Sequence, residues 1–183
     1  MTRFLSCLLA ATLAYAGAAH ADTRPDTHAG ADRPACEAAG GSYLTGAIVQ
    51  GPKFAHGQFR QGVELSHTHL KVKADQDGRV YDVAIDNVFA NGYREGGRGV
   101  PAPLDALHTG QQLALCGQLY DRGVGIHFVH TNCGQTPTAQ HPDGWIRVVD
   151  HGVAGPNLEA NGGECSLFNH GSKHKKPLHW TLH

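Results

Sequence analysis

The chain has 183 residues, which suits one domain of ordinary size and leaves little room for a second. It carries 15 basic and 16 acidic residues, for a formal net charge of -1, so it lacks the positive charge of a general polyanion-binding protein. No apolar run reaches the roughly 20 residues that a bilayer span requires, and we therefore expect no membrane-spanning helix.

The first 21 residues have the order of a secretory signal peptide. Met1 to Arg3 is a basic start, residues 4–19 are apolar, and Ala19-His20-Ala21 supplies small residues for cleavage. We expect the mature chain to begin at Asp22, with 14 basic and 16 acidic residues once Arg3 is removed, and to be periplasmic or secreted.

The remaining chain divides by composition into three parts. Residues 22–35 are polar and small and predict a disordered leader. Residues 36–168 predict a single folded domain, and residues 169–183 form a basic, histidine-bearing tail.

Short β-favouring segments separated by turn residues dominate the predicted domain. Gly51-Pro52 is expected to end the first segment, and Asp75 to Gly78 suits the tight turn of a hairpin. The glycine-rich stretch 91–103 predicts a long loop, and residues 104–108 predict one helical turn. The predicted strands are 43–50, 65–73, 79–85, 112–120, 125–131 and 145–149.

This pattern predicts a mainly β fold with antiparallel strands. Apolar residues do not recur at helical spacing over three turns, which argues against a helical bundle. A small OB-like barrel would bury the edges of five or six short strands, and a small β-sandwich is the alternative.

Four cysteines lie beyond the predicted signal peptide: Cys36, Cys116, Cys133 and Cys165. An even number in an exported chain predicts two disulfides, and the absence of a Cys-x-x-Cys pair disfavours a four-cysteine zinc site. A hairpin turn near residues 121–124 would place Cys116 opposite Val129, out of register with Cys133. The pairing Cys36 with Cys116 and Cys133 with Cys165 is therefore favoured, while the other pairings stay open.

Histidine is the compositional anomaly, with 14 in the chain. Imidazole binds Zn(II) and Cu(II) when several rings converge on one point. His67 and His69 are two apart on a predicted strand, so both leave the same face. They predict two ligands of one ion, and a solvated polar face is the alternative.

Three further histidines are candidate ligands. His127 and His130 are three apart, which in a regular strand sends them to opposite faces, so one site needs a bulge between them. Burial in the core is the alternative for His130. His141, with Asp143, lies at a predicted turn and is a further candidate, although a plain turn in which Asp143 hydrogen-bonds its own backbone is the favoured alternative.

The segment Gly125-Ile-His-Phe-Val-His-Thr-Asn, followed by Pro142-Asp-Gly-Trp-Ile, resembles a family of small exported bacterial proteins of unknown function. In that family a His-Trp-x-His strand precedes a strand that starts with Gly-Trp, and here Phe128 stands at the tryptophan position. Ser66 to Leu70 and the pattern in residues 107–117 are also similar. The resemblance implies an OB-like fold with His127, His130 and Trp145 as motif positions, and it implies no activity.

Three functions remain as hypotheses. The first is binding of a transition metal such as Zn or Cu through His67, His69, His127, His130 and His141. The second is a metal-assisted hydrolase or nuclease that uses the same histidines on a phosphodiester. The third is an OB-like module that binds an oligonucleotide or glycan with Arg94, Arg98 and exposed aromatic residues, with Trp145 as a further binding residue.

Overall fold

The computed structural model describes residues 32–168. The predicted signal peptide, most of the leader and all of the tail lie outside the described residues. Helix α1 spans Asp32–Ala38, so the expectation that residues 32–35 are a disordered leader is wrong. Arg147 anchors the start of this helix, because its guanidinium lies 3.0 Å from the Asp32 carboxylate.

Seven strands form one sheet, and three short 3-10 helices lie between or after them. The strands are β1 Ser42–Arg60, β2 Val63–Ala74, β3 Val80–Asp86, β4 Gln112–Leu119, β5 Gly125–His127, β6 Trp145–Asp150 and β7 Val153–Ala154. The 3-10 helices are Asn87–Phe89, Leu104–Ala106 and Cys165–Leu167.

The first five strands close into a ring. Their order is β1-β2-β3-β5-β4, and β4 also pairs with β1, which joins the two ends. All these pairs are antiparallel except β3 with β5, which is parallel. Strands β6 and β7 extend the sheet from β4. The prediction of a small, mainly β, barrel-like fold is confirmed.

Strand β1 is much longer than predicted. Gly51-Pro52 does not end it, because the pairing with β2 shifts register between Ile48 and Gln50 and again between Gln50 and Lys53. Proline is tolerated at such an irregularity, where its missing N–H breaks no ladder bond. The strand instead ends at a tight turn in which Gln61 and Gly62 both have positive φ. Such a turn suits a two-residue hairpin.

The barrel encloses an apolar core of aliphatic side chains from every strand of the ring. Fully buried members include Leu70, Val83, Leu115 and Ile126. The predicted hairpin around Asp75 to Gly78 is confirmed by β2 and β3. Among the described residues, no helix is long and apolar enough to cross a membrane.

Both predicted disulfides are confirmed. Cys36–Cys116 ties helix α1 to β4, and both cysteines are fully buried. Cys133–Cys165 joins the loop after β5 to the last 3-10 helix. Two disulfides indicate a chain that folds in an oxidising compartment.

Candidate functional site

The outer face of β2 and β3 carries a cluster of histidines and aspartates. Side chains alternate along each strand, and Leu70, Val83 and Ile85 point into the core. His67 and His69 on β2, and Asp82 and Asp86 on β3, therefore point outward. His67 pairs directly with Asp86 across the two strands, and His69 pairs with Ala84.

Asp86 is the centre of this cluster, which we call the Asp86 cluster: Asp86, His67, His127 and His130. The Nε2 atom of His67 lies 2.6 Å from Oδ1 of Asp86, and the Nε2 atom of His130 lies 3.1 Å from Oδ2. Burial by itself raises the pKa of the Asp86 carboxyl. The contacts with His130 and His67 outweigh burial and hold that pKa well below its usual value, so Asp86 is ionised.

The pKa of His67 is shifted in the opposite direction to that of Asp86. Its hydrogen bond to the Asp86 carboxylate raises the pKa of the His67 ring, although desolvation opposes this. The His67 side chain is one-third exposed, at 34%. One edge of the ring thus contacts the carboxylate while part of the ring still faces solvent.

The ring of His130 is held in place by two contacts. It is buried, and it stacks on Phe89 with centroids 3.9 Å apart and an interplanar angle of 8°. Its Nδ1 atom lies 2.7 Å from the carbonyl oxygen of Thr131. Because a carbonyl oxygen only accepts hydrogen bonds, Nδ1 carries the hydrogen, and Nε2 of the neutral ring presents a lone pair.

That Nε2 atom faces Asp86 without a well-formed hydrogen bond. It is fully buried, and no donor–acceptor geometry with a described residue satisfies it, despite its distance of 3.1 Å from Oδ2. An imidazole lone pair beside an ionised carboxylate is repulsive unless a proton or another cation lies between them. A proton shared between the two groups, or a bound cation, would remove this repulsion.

An irregular residue brings His127 and His130 to the same cluster. Strand β5 ends at His127, and Phe128 has a φ of 52°, in the left-handed region. The regular alternation that would send the two histidines to opposite faces is thus broken. His127 lies close enough to Asp86, His130 and His67 to interact with their charges, and burial lowers the pKa of its ring.

Gly144 allows the segment 128–130 to lie where it does. Its N–H donates to the His130 carbonyl oxygen over 2.8 Å. A Cβ at this position would lie 2.1 Å from the Phe128 carbonyl oxygen and 2.6 Å from that of Cys116, both of them backbone atoms. This close approach is a physical reason for glycine before Trp145.

Replacing Gly144 by alanine is expected to destabilise the protein by about 2 kcal/mol, within the range for overpacking, and to displace His130. Urea unfolding and the imidazole NMR signals of His130 would measure both effects. Gly99→Ala is the matched control, since a Cβ there meets no atom within 4 Å. Equal stability of the two variants would contradict the role of the close approach.

A second carboxylate on β3 holds a second histidine. The Asp82 Oδ2 atom lies 3.0 Å from Nδ1 of His69, and it accepts a hydrogen bond from the Tyr120 hydroxyl over 2.8 Å. Burial, followed by this hydrogen bond, raises the pKa of Tyr120, so the phenol stays protonated. The rings of His67 and His69 are 6.2 Å apart.

Glu159 is a buried acid near the same cluster. Its side chain is fully buried, and neither carboxyl oxygen has a hydrogen-bond partner among residues 32–168. Burial raises the pKa of Glu159 well above its usual value, and the negative charge of Asp86 raises it further. Its surroundings thus favour the neutral form of Glu159, in contrast to the ionised Asp86.

The other predicted site residues lie apart from the Asp86 cluster. His141 is exposed, and its ring lies 5.5 Å from that of Phe128, at the margin of the cluster. Trp145 is 7% exposed and packs against Tyr43 and the Arg147 guanidinium, so its ring serves the core. Arg94 and Arg98 line a cavity beside the long loop.

Sequence reasoning missed the acidic members of the site. Asp82, Asp86 and Glu159 were not candidates, nor was Tyr120 in this role. A signal for Asp86 was present, because counting back along the predicted hairpin from Lys73 opposite Val80 places His67 opposite Asp86. No comparable signal exists for Glu159, which reaches the cluster through irregular chain.

Among residues 32–168, no group of three or more histidine, cysteine, aspartate or glutamate side chains is already arranged to hold a metal ion. Comparisons with protein-family models, with curated proteins and with solved structures found no match.

Proposed function

We propose that this chain is an exported protein that binds a divalent transition metal, Zn(II) or Cu(II), at the Asp86 cluster. The observation that carries the proposal is the buried Nε2 atom of His130, which lacks a hydrogen-bond partner and faces an ionised carboxylate at 3.1 Å. A metal ion bound between the two groups would remove the repulsion between them.

The surroundings of His130 are those of a metal ligand. Ligating histidines almost always donate their other ring N–H to a carbonyl or carboxylate, which fixes the tautomer. The Thr131 carbonyl oxygen has this role for His130, and stacking on Phe89 fixes the ring plane. Little conformational entropy would therefore be lost when His130 binds an ion.

His130, His67 and Asp86 would supply two nitrogen ligands and one oxygen ligand. With metal–ligand bonds of about 2.0–2.1 Å, tetrahedral ligands lie about 3.3 Å from one another. The distance between His130 and Asp86, 3.1 Å, nearly meets this value, whereas that between His67 and Asp86, 2.6 Å, must widen. The side chains thus lie too close together to hold an ion without moving apart, which is consistent with the lack of a metal-ligand group already arranged among residues 32–168.

His127 is the candidate for a fourth ligand. Only the neutral imidazole binds a metal, and the lowered pKa keeps His127 neutral at a pH where free histidine begins to protonate. Its ring is oriented by stacking on Phe128 at 4.2 Å. Binding to the cluster is expected to weaken as the pH falls, because His67 must lose its proton.

Calorimetric titration of metal-free mature protein with Zn(II) or Cu(II) tests the proposal. The four histidines of the tail, His170, His174, His179 and His183, are replaced by glutamine in every sample. We expect one equivalent to bind, and His130→Gln or His67→Gln to weaken binding by more than the roughly 10-fold that loss of an outer-sphere partner costs.

His151→Gln is the matched control, because its side chain is 94% exposed and lies beside Asp150 rather than Asp86. This variant should bind like the parent. Equal affinity of the His130→Gln, His151→Gln and parent proteins, all confirmed as folded by circular dichroism, would refute the proposed site.

A further inference from the structure

A cavity of about 250 Å³ lies on the opposite side of β2 from the histidines. Its wall combines the glycine-rich loop with the end of β2 and the first 3-10 helix. Its lining includes Ser66, Asn87, Tyr93, Arg94 and Arg98. The long loop predicted from the sequence thus forms one side of a cavity that is open to solvent.

The floor of the cavity is buried and polar. Ser66 is 4% exposed and Asn87 is 1% exposed. Thr68 Oγ1 donates to Asn87 Oδ1 over 2.6 Å, and Asn87 Nδ2 donates to Ser66 Oγ over 3.0 Å. Because Ser66 accepts this bond, its own hydroxyl hydrogen remains available to donate to a ligand.

The mouth of the cavity adds further donors. Neither the Arg94 nor the Arg98 guanidinium forms an ion pair within residues 32–168, although Arg98 attracts Glu64 at longer range. Burial, together with nearby carboxylates, raises the pKa of Tyr93, so its hydroxyl also remains protonated.

The acidic residues near Tyr93 do not line the cavity. These residues are Glu64, Glu95 and Glu164. Glu64 is engaged elsewhere, because it accepts a hydrogen bond from the Gly57 N–H over 3.1 Å and lies 2.9 Å from His56 Nδ1. The side chains on the wall of the cavity are therefore donors or apolar groups, and its charged groups are both positive.

We propose that this cavity binds a small tetrahedral oxyanion, such as phosphate or a phosphate monoester. Its lining includes two guanidinium groups and two hydroxyls, and such a set of donors matches an acceptor with three or four oxygens. A water molecule occupies about 30 Å³ in the liquid, so a cavity of about 250 Å³ has room for a group the size of a phosphate.

This site is distinct from the Asp86 cluster. Ser66 and His67 are consecutive on β2, so their side chains leave opposite faces of the strand. Oxyanion binding therefore does not depend on metal binding, and each proposal can fail without the other.

Isothermal titration of metal-free protein with inorganic phosphate, at constant ionic strength in chloride, tests the oxyanion site. We expect a dissociation constant of roughly 1 mM or tighter, and methyl phosphate should compete for the same site. Arg94→Gln and Arg98→Gln should each weaken binding by about 10-fold or more, because each removes a charge-assisted hydrogen bond. Both residues are exposed, so neither change threatens folding.

Arg122→Gln is the matched control, since this exposed arginine lies in the turn between β4 and β5. Arg122→Gln and His130→Gln should both bind phosphate like the parent. An absence of phosphate binding, or equal weakening by Arg122→Gln and Arg98→Gln, would overturn the proposal, the latter because it would indicate general charge attraction.

Discussion

Asp86→Asn is expected to lower the free energy of unfolding by about 3 kcal/mol near pH 6, the lower end of the range for breaking a buried ion pair. The Asp86 carboxylate, 19% exposed, contacts the Nε2 atoms of both His67 and His130. The neutral amide of the introduced asparagine cannot stabilise a positive charge on either imidazole ring. The same change should weaken metal binding at the cluster, because it replaces the anionic carboxylate ligand with a neutral amide.

The effect of Asp86→Asn should depend on pH with a defined sign. The Asp86 pKa is lowered from 3.8 in the folded protein, so its contribution is present above that value and is lost as the pH falls through the lower, folded value. The His67 pKa is raised from 6.5, so its contribution is present below 6.5 and is lost as the pH rises through the raised value.

The difference between parent and variant should therefore be largest between about pH 4 and 6.5 and smaller on either side. Urea unfolding at a series of pH values measures it, with the exposed Asp105→Asn variant as control. A difference that does not change with pH would contradict an ionic role for Asp86.

Removal of the Cys36–Cys116 disulfide by a double change to alanine is expected to destabilise the protein by about 4.5 kcal/mol, in the chain-entropy estimate for a long loop. The two cysteines are 80 residues apart, so the bridge restricts much of the unfolded chain. Helix α1, which has seven residues, should also lose its fixed position against β4.

Loss of the Cys133–Cys165 bridge provides the comparison. Its separation is 32 residues, for which the same estimate gives about 3.7 kcal/mol. Urea unfolding of the two double variants and the oxidised parent measures the order. A smaller loss for Cys36–Cys116 than for Cys133–Cys165 would contradict the loop-length argument.

Much of the fold could be predicted because the barrel strands carry local signals. The turn at Asp75 to Gly78 and the alternation on either side of it fixed the β2–β3 hairpin. The prediction that Gly51-Pro52 ends the first strand was wrong. These residues usually end a strand, but here they lie at a shift in the register between β1 and β2. The Gln61-Gly62 turn was a signal that went unused.

The candidate site was predictable only in part. His67 and His69 follow from spacing alone, but the convergence of His127 and His130 depends on a left-handed Phe128, a conformation that a bulky residue rarely adopts. Glu159 approaches Asp86 through tertiary packing, and sequence separation gives no indication of that contact. Local patterns predict the face of a strand on which a side chain lies. The irregular connections between strands determine which side chains come together on that face.

The Cys133–Cys165 bridge has a consequence for the maturation of the protein. It links the chain just after His130 covalently to the segment just beyond Glu159. The same two segments are also joined by a hydrogen bond from the Thr131 N–H to the Glu159 carbonyl oxygen. Until thiol oxidation is complete, the segment that presents His130 lacks this covalent tether. Oxidative folding would therefore precede the metal binding that we propose for the Asp86 cluster.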